Sequence, residues 1–562
     1  MANTLSLGSG NWGAKDSLLL GYYEDGKKFF PETFDVTRAT GGTRVNKNGL
    51  IETPAEIGSE LVVNGDFSNG SANWSLTRGN VINNELVFNT TGAPSGSRSV
   101  FAIQNNVADL TKVYKVQFTI SNYVSGQFRL RKPFITTDTF GNGTYTYYGT
   151  ASEINFELQG RLDIVHNFSI DNVSVKEYND KNLARIDYLD DAKGALLTEP
   201  QSTNLFTYSE NFSEWASYII TPTLNFATSP SGDNNATKLL SSGVFGSLKV
   251  DLTKPSSSLT YSQSVFVKTI NYSIVNLISY GASSGNRAQV SFDLSDGSVS
   301  SAATVTGAFS NPSELIKNYG NGWYRITLTF TSDTSTEIRP HIQFPAQMTN
   351  DDYALIWGAQ LEQENALGYN GEYSTSYIPT NGSTVTRNKD EVTNGGDVNS
   401  FNSEEGVLYA EIAALANSSN YRSVSLSDGT NTNRVNLTYS IASNSLLGFI
   451  NVNGVNTTLS FTTIPVTDFF KCALKYKEND CSLWVNGVEV SNSTSQIAFP
   501  INTLTKLSFT SGSNGSYFYG KTSQVQVFNT ALSDYELKLL TSQDTNYDSY
   551  EAMRLALNYN IQ

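Results

Sequence analysis

Gly322-Trp323-Tyr324-Arg325-Ile326-Thr327-Leu328-Thr329-Phe330 places Tyr324, Ile326, Leu328 and Phe330 on one side and Arg325, Thr327 and Thr329 on the other. A period of two is the mark of a half-buried β-strand. The same alternation runs through Tyr261–Lys268 and Tyr114–Ile120. Between such segments lie Gly, Asn, Asp and Ser clusters, including Lys47-Asn48-Gly49, the Asn-Gly signal of a hairpin turn. The chain reads as all-β.

Composition agrees. Charged residues make up only 16% of the 562 residues and aromatic residues 12%, with 30 Tyr and 30 Phe, which suits pleated, half-buried strands. No heptad with charged flanks supports a coiled coil, and aromatic and β-branched residues spread along the whole length exclude general disorder. The length implies three or four domains. A net charge of −15 argues against a nucleic-acid partner bound through its phosphates. No run of 18 apolar residues occurs, so no membrane span is expected, and the start of the chain reads as no secretory signal.

Cys472 and Cys481 are the only cysteines, and they flank an expected hairpin turn at Lys477–Asp480. If Tyr476 pairs with Cys481, the two thiols stand about 13 Å apart along the ladder, too far to bridge. Two free thiols fit synthesis in a reducing cytosol.

The chain divides at its turn-rich stretches into a leader (1–57), a first sandwich (58–178), a connector (179–203), a second sandwich (204–385), a third (400–541) and a C-terminal helical tail (542–562). Leu205 through Trp215 echoes Leu61 through Trp74, and Tyr353–Glu362 echoes Phe168–Val175, so the first two sandwiches repeat one plan. Ser533 and Glu536 have capping-box spacing and predict a short helix. Ala552, Leu555, Ala556 and Tyr559 fall on one helical stripe, which packs on its own domain or docks on a neighbouring subunit.

Several phrases carry a resemblance. Thr43-Arg44-Val45-Asn46-Lys47-Asn48-Gly49-Leu50-Ile51-Glu52, Ala184-Arg185-Ile186-Asp187-Tyr188, Leu196–Leu205, Thr375-Ser376-Tyr377-Ile378-Pro379-Thr380 and Val385-Thr386-Arg387 together resemble a family of tailed-bacteriophage virion proteins found in tail fibres, appendages and capsids. Asn64-Gly65-Asp66-Phe67 and Asp171-Asn172-Val173-Ser174-Val175 resemble the jelly-roll carbohydrate-binding modules. The strands Gly406–Ile412, Cys481–Val488 and Gly520–Phe528, with Asn529–Leu537, resemble the concanavalin/laminin-G lectin sandwich. These likenesses imply tandem β-sandwiches, two jelly rolls and one lectin-like sandwich, between an N-terminal docking segment and a C-terminal helix. They also imply a virion-surface protein assembled in the bacterial host cytoplasm. Its partners would be other virion proteins and host surface glycans, and it would form a homo-oligomer, a trimer before a dimer.

Only His166 and His341 occur, in different expected domains, so no Ser-His-Asp triad or zinc-hydrolase set is legible. No motif selects a pair from the many carboxylates for glycoside hydrolysis. No catalytic residues are expected, and the chain reads as a binding or purely architectural protein rather than an enzyme, with a glycan depolymerase as the third alternative. Sugar rings stack on aromatic faces. Trp74, Trp215, Trp323, Trp357 and Trp484 sit at strand positions and read as core. Loop aromatics are the glycan candidates: Tyr145, Tyr147 and Tyr148 after Gly141-Asn142-Gly143, and Tyr517, Phe518 and Tyr519 after Ser513–Ser516. No cofactor is required. The jelly-roll resemblance implies one structural calcium, held by Asp66 and Asp171, although Ser68 stands where an acid is usual.

Overall fold

The computed structural model describes residues 4–25, 28–136, 139, 141–348, 351–364, 373–417, 420–440, 444–513 and 515–542. Among them the chain is almost wholly β, with one α-helix at Asp534–Thr541 and a 3-10 turn at Phe212–Glu214. It divides into two compact units: residues 55–180, and residues 1–54 together with 181–562.

The 55–180 unit is a two-sheet sandwich. One sheet runs in the order Gly143–Thr150, Val113–Ser125, Asn167–Asn179, Glu85–Asn89, Asn80–Ile82, and the facing sheet holds Phe128–Lys132, Phe156–Gly160, Val100–Gln104 and Ser75–Thr77. Their inner faces meet in a core that includes Phe67, Trp74, Phe88, Phe118, Phe128 and Phe168. The opening and closing phrases touch there. The Val173 N–H donates to Gly65 O at 2.9 Å, and a Cβ on Gly65 would fall 1.9 Å from Val173 O. Asn64, at φ 58°, turns the chain, and its carboxamide donates to Gly70 O and Ala72 O.

The other unit contains two sandwiches. Six- and seven-stranded sheets between Ala216 and Gln363 enclose Phe212, Trp215, Phe292, Phe330 and Phe344. The third sandwich, the lectin-like one, pairs a five-stranded sheet (Arg422–Ser427, Arg434–Tyr439, Ser445–Val452, Val455–Thr462, Lys506–Ser508) with a twelve-stranded one. The larger sheet is where structure and sequence part. Thr4–Gly8 pairs antiparallel with Gly520–Phe528, and Leu18–Asp25 and Lys28–Thr37 continue outward from it. From the connector, Ala195–Thr198 joins the same strand Gly520–Phe528. Leader and connector, expected as separate segments, are thus strands of the lectin-like sandwich. Leu5, Leu7, Phe34, Ile186 and Leu196 lie in one core with Leu408 and Val525.

Smaller expectations meet the coordinates directly. Ser533 and Glu536 form a full capping box, with the Ser533 N–H donating to Glu536 Oε2 at 2.8 Å. Lys475 pairs with Ser482 and Cys472 with Val485, which puts Tyr476 opposite Cys481. Both thiols are free and buried. The five tryptophans named above are all buried. The stripe Ala552–Tyr559 lies outside the described residues.

A methyl group at Gly65 has no space without parting the first and last strands of the 55–180 unit. Gly65→Ala is therefore expected to cost about 1–3 kcal/mol. In differential scanning calorimetry of the full chain, a melting transition of this unit unmoved by the substitution would refute that packing.

Candidate functional site

A cavity of about 540 Å³ opens within the larger unit. The hairpin formed by Ser310–Asn318 and Tyr324–Thr331 builds one wall. Leu315 pairs with Thr327 and Lys317 with Arg325, so period two sends Leu315, Lys317, Arg325 and Thr327 to one face, away from Ile326 and Leu328 in the core. Tyr319 extends that wall; Asp187, Asp190 and Glu199 of the connector, Tyr373, Ser374 and Ser376, and Ala413–Leu415, Thr467–Phe469 and Lys521 of the lectin-like sandwich complete it.

Polar contacts tie these segments together. The Lys521 ammonium donates to Asp187 Oδ1 at 2.8 Å and Asp190 Oδ2 at 2.6 Å, and Lys317 pairs with Asp190. Burial works against the Lys521 ammonium, but Asp187 and Asp190 outweigh it and raise its pKa. Burial likewise pushes the Tyr319 and Tyr373 phenols up. The aromatic surfaces are Tyr319, Tyr373 and Phe469; Ser374, Ser376 and the paired charges supply hydrogen-bonding groups.

Behind the cavity lies a buried clasp of five charged side chains. Arg185 donates to Glu199 Oε2 at 2.7 Å, Ser376 Oγ at 2.7 Å and Thr43 O at 3.0 Å, and pairs with Asp390. Arg38 donates to the other oxygen of Asp390 at 2.8 Å. Arg387 stands 3.4 Å from Glu199 and 3.6 Å from Asp390. Ser376 closes on Glu199 through its N–H and its hydroxyl, each at 2.7 Å. Gly42 lies against all three guanidinium side chains: a Cβ there would meet Arg387, Arg38 and Arg185 at 3.0–3.3 Å. Burial raises the Glu199 carboxyl, but Arg387 and Arg185 prevail and hold it at about 2. Asp390 is lowered for the same reason, by Arg185, Arg38 and Arg387 against burial.

The expected site residues lie elsewhere. In the 55–180 unit, Tyr145 and Tyr147 turn inward and stack on Phe118 at 5.7 and 6.0 Å. Tyr148 points the other way, 54% exposed, with its ring 4.7 Å from Tyr178. The three therefore form no common platform, because neighbours in a strand alternate sides. Phe518 is 1% exposed and stacks on Tyr439 in the core, and Tyr519 is 4% exposed. Neither is a surface aromatic. Tyr517 is half-buried under the Lys389 ammonium, 4.1 Å from its ring centroid. Asp66 accepts from the Ser68 N–H and hydroxyl, and Asp171 from the Asn172 N–H. Burial raises the Asp171 carboxyl, and the nearby Glu85 and Asp66 charges add to that. Among the described residues no group of three or more His, Cys, Asp or Glu could hold a metal. His166 is buried, with Nε2 2.8 Å from Arg161 O, and burial lowers His341 to about 4.

No protein-family model matches the chain, and no curated protein matches it. Similar solved structures include the carbohydrate-binding module CBM40 of Ruminococcus gnavus IT-sialidase (19% identity, 25% of this chain and 84% of that chain, TM-score 0.22). Others are the tandem CBM22 modules of Paenibacillus barcinonensis Xyn10C (11%, 54% and 98%, 0.20) and laminin α1 domains LG4-5 of mouse (11%, 59% and 94%, 0.18). All are β-sandwich neighbours. At these TM-scores they carry no argument about ligand or activity, and the fold rests on the strand pairings themselves. A further match, over 94% of this chain and 89% of that chain, is to Trypanosoma rangeli sialidase (10% identity, TM-score 0.22). That match withdraws the expectation that the chain is not an enzyme, and no reaction is assigned in its place. Among the described residues no helix is long and apolar enough to cross a membrane.

The clasp sets a pH dependence. Glu199 and Asp390 titrate lower folded than unfolded, so their contribution is complete above about pH 4.5 and is lost as pH falls toward 2. Glu199 alone accounts for something on the order of 3 kcal/mol across that window. Glu199→Gln is expected to flatten acid unfolding of this unit between about pH 4.5 and 2, at a cost of roughly 3–5 kcal/mol near neutrality. Thermal melts across that range check both, and an unchanged acid limb would refute the assignment.

Proposed function

We propose that this is a structural protein of a tailed-phage virion, displayed on the particle surface and adhering to host or environmental glycans through the cavity. One observation carries the reading. Three of the phrases that resemble virion proteins contribute Asp187, Leu197, Glu199 and Ser376 to a concave site with aromatic walls and hydrogen-bonding groups. Its volume lies within the range of about 300–1,000 Å³ usual for small-ligand sites. A pyranose C–H face suits Tyr319, Tyr373 or Phe469, and its hydroxyls suit the Asp190–Lys317 pair, Ser374 and Ser376. The β-sandwich architecture is consistent with such a role.

Single sites of this kind bind weakly, and copies presented together gain avidity of about 10²–10⁴. The expected homotrimer would supply them. Mass spectrometry of purified virions is expected to find the chain, and its absence would end the virion half of the reading. On a glycan array the intact protein is expected to bind selectively, with Tyr373→Ala weakening binding about tenfold or more. A blank array would favour a second reading, an architectural protein that bridges subunits without glycan. The clasp supports that alternative, since the same phrases also hold segments of the fold together.

A further inference from the structure

Three cations line the cavity: Lys317, Lys521 and Arg325. Lys521 is engaged by Asp187 and Asp190, and Lys317 by Asp190. Arg325 differs. It is 5% exposed, and among the described residues no carboxylate stands within ion-pairing distance of it. Its Nε and Nη2 donate to Ser264 Oγ at 3.3 and 3.0 Å, and its Nη1 to Thr375 O at 2.6 Å, all neutral acceptors. The Tyr319 hydroxyl and the Phe266 ring, 5.2 Å away, complete its surroundings. A guanidinium offers five donors in a planar fork, and its charge is costly to bury without a counterion.

The surrounding carboxylates are committed elsewhere. Asp187 and Asp190 face the two lysines, and Glu199 faces Arg185 and Arg387. Glu362 is buried behind the wall, accepting from Ser202 and from the Thr375 N–H and hydroxyl. Asp468 is exposed at the rim. The missing counterion can come from the cavity, where the Lys317 ammonium, half-exposed and paired with Asp190, stands on the same face of the hairpin.

We propose that the cavity selects an acidic sugar, whose carboxylate pairs with Arg325 and Lys317 while its ring packs on Tyr319 or Tyr373. This deepens the glycan reading and rests on it. The test is calorimetric titration of the full chain with matched pairs: oligogalacturonate against its carboxyl-reduced form, and sialyllactose against lactose, with sodium sulfate as the inorganic anion. At least one acidic member is expected to bind about tenfold or more tightly than its neutral partner, with the gap narrowing in about 0.5 M NaCl. Arg325→Gln is expected to remove the gap, read as the ratio of the acidic to the neutral partner's affinity. Should that variant fail to fold, Lys317→Gln is expected to narrow the gap at least threefold. Equal affinity within both pairs overturns the acidic-sugar proposal and leaves the glycan reading standing, as does an acid preference that survives both substitutions. Sulfate competing as well as the acidic sugar also overturns it, because the site would then read charge alone. Binding of neither member of either pair overturns both readings.

Discussion

Arg185, buried between Asp390 and Glu199, is the contact on which the larger unit depends. A buried guanidinium is tolerable only when paired and hydrogen-bonded, and Arg185 meets this through its two Nη groups, while its Nε has no partner among the described residues. Its partners come from stretches far apart in sequence: Arg38 and Thr43, Glu199, Ser376, and Arg387 with Asp390. None can be absent without stranding another. Relative to hydrophobic packing such a cluster adds little net stability, but removing one member is severe. The cluster therefore acts as a condition on topology, satisfied only when the leader, the connector and the segment after the second sandwich meet together.

The same condition explains how residues 55–180 can interrupt the larger unit in sequence. Where the chain returns, Asn182 accepts from the Arg38 N–H through its side chain and donates to Arg38 O through its own N–H, each at 2.9 Å. Asp187 then accepts from the Val45 N–H, and the Tyr188 N–H donates to Val45 O. Val45 and Ile51 pack with Trp323, Trp357 and Tyr377 over the outer face of the second sandwich. Thr4–Gly8 in turn occupies a side of Gly520–Phe528 that would otherwise be an open edge, a hazard for any sheet. The leader is thus structural before it is anything else.

Much of the fold was legible because β-structure writes itself locally. Period two found the strands, Asn-Gly turns their ends, and the Ser533–Glu536 spacing the short helix. The phrases that hold Gly65 and Val173 stood out because opening and closing motifs repeat between sandwiches, but their contact did not. What was not legible is non-local. Alternation in Leu315–Tyr319 and Arg325–Thr327 distinguishes a core face from an outer face, but is silent on what covers the outer one. Another sandwich covers it here, so an apparently solvent-facing Arg325 is buried. Tyr145, Tyr147, Phe518 and Tyr519 failed as surface aromatics for the converse reason: Tyr145 and Tyr147 follow a turn yet lie on the inward face of their strand, and Phe518 and Tyr519, in the loop just before Gly520–Phe528, are buried. The leader's membership of the lectin-like sheet spans more than 500 residues, and no local signal reports it.

Cavity and clasp are one construction. Glu199 and Ser376 belong to both, and Thr375, between Tyr373 and the clasp, accepts from Arg325. A ligand meeting Tyr373 and Arg325 therefore meets side chains whose supports are fixed by ion pairs and backbone hydrogen bonds before it arrives. Preorganisation of this kind lowers the ordering cost that makes single sugar sites weak. It also limits what the site can accept, since walls tied to a buried ionic cluster cannot shift far without breaking pairs that water cannot replace. Selectivity at such a site rests on the charges and rings already in place, and among the described residues Arg325 has no carboxylate within ion-pairing distance.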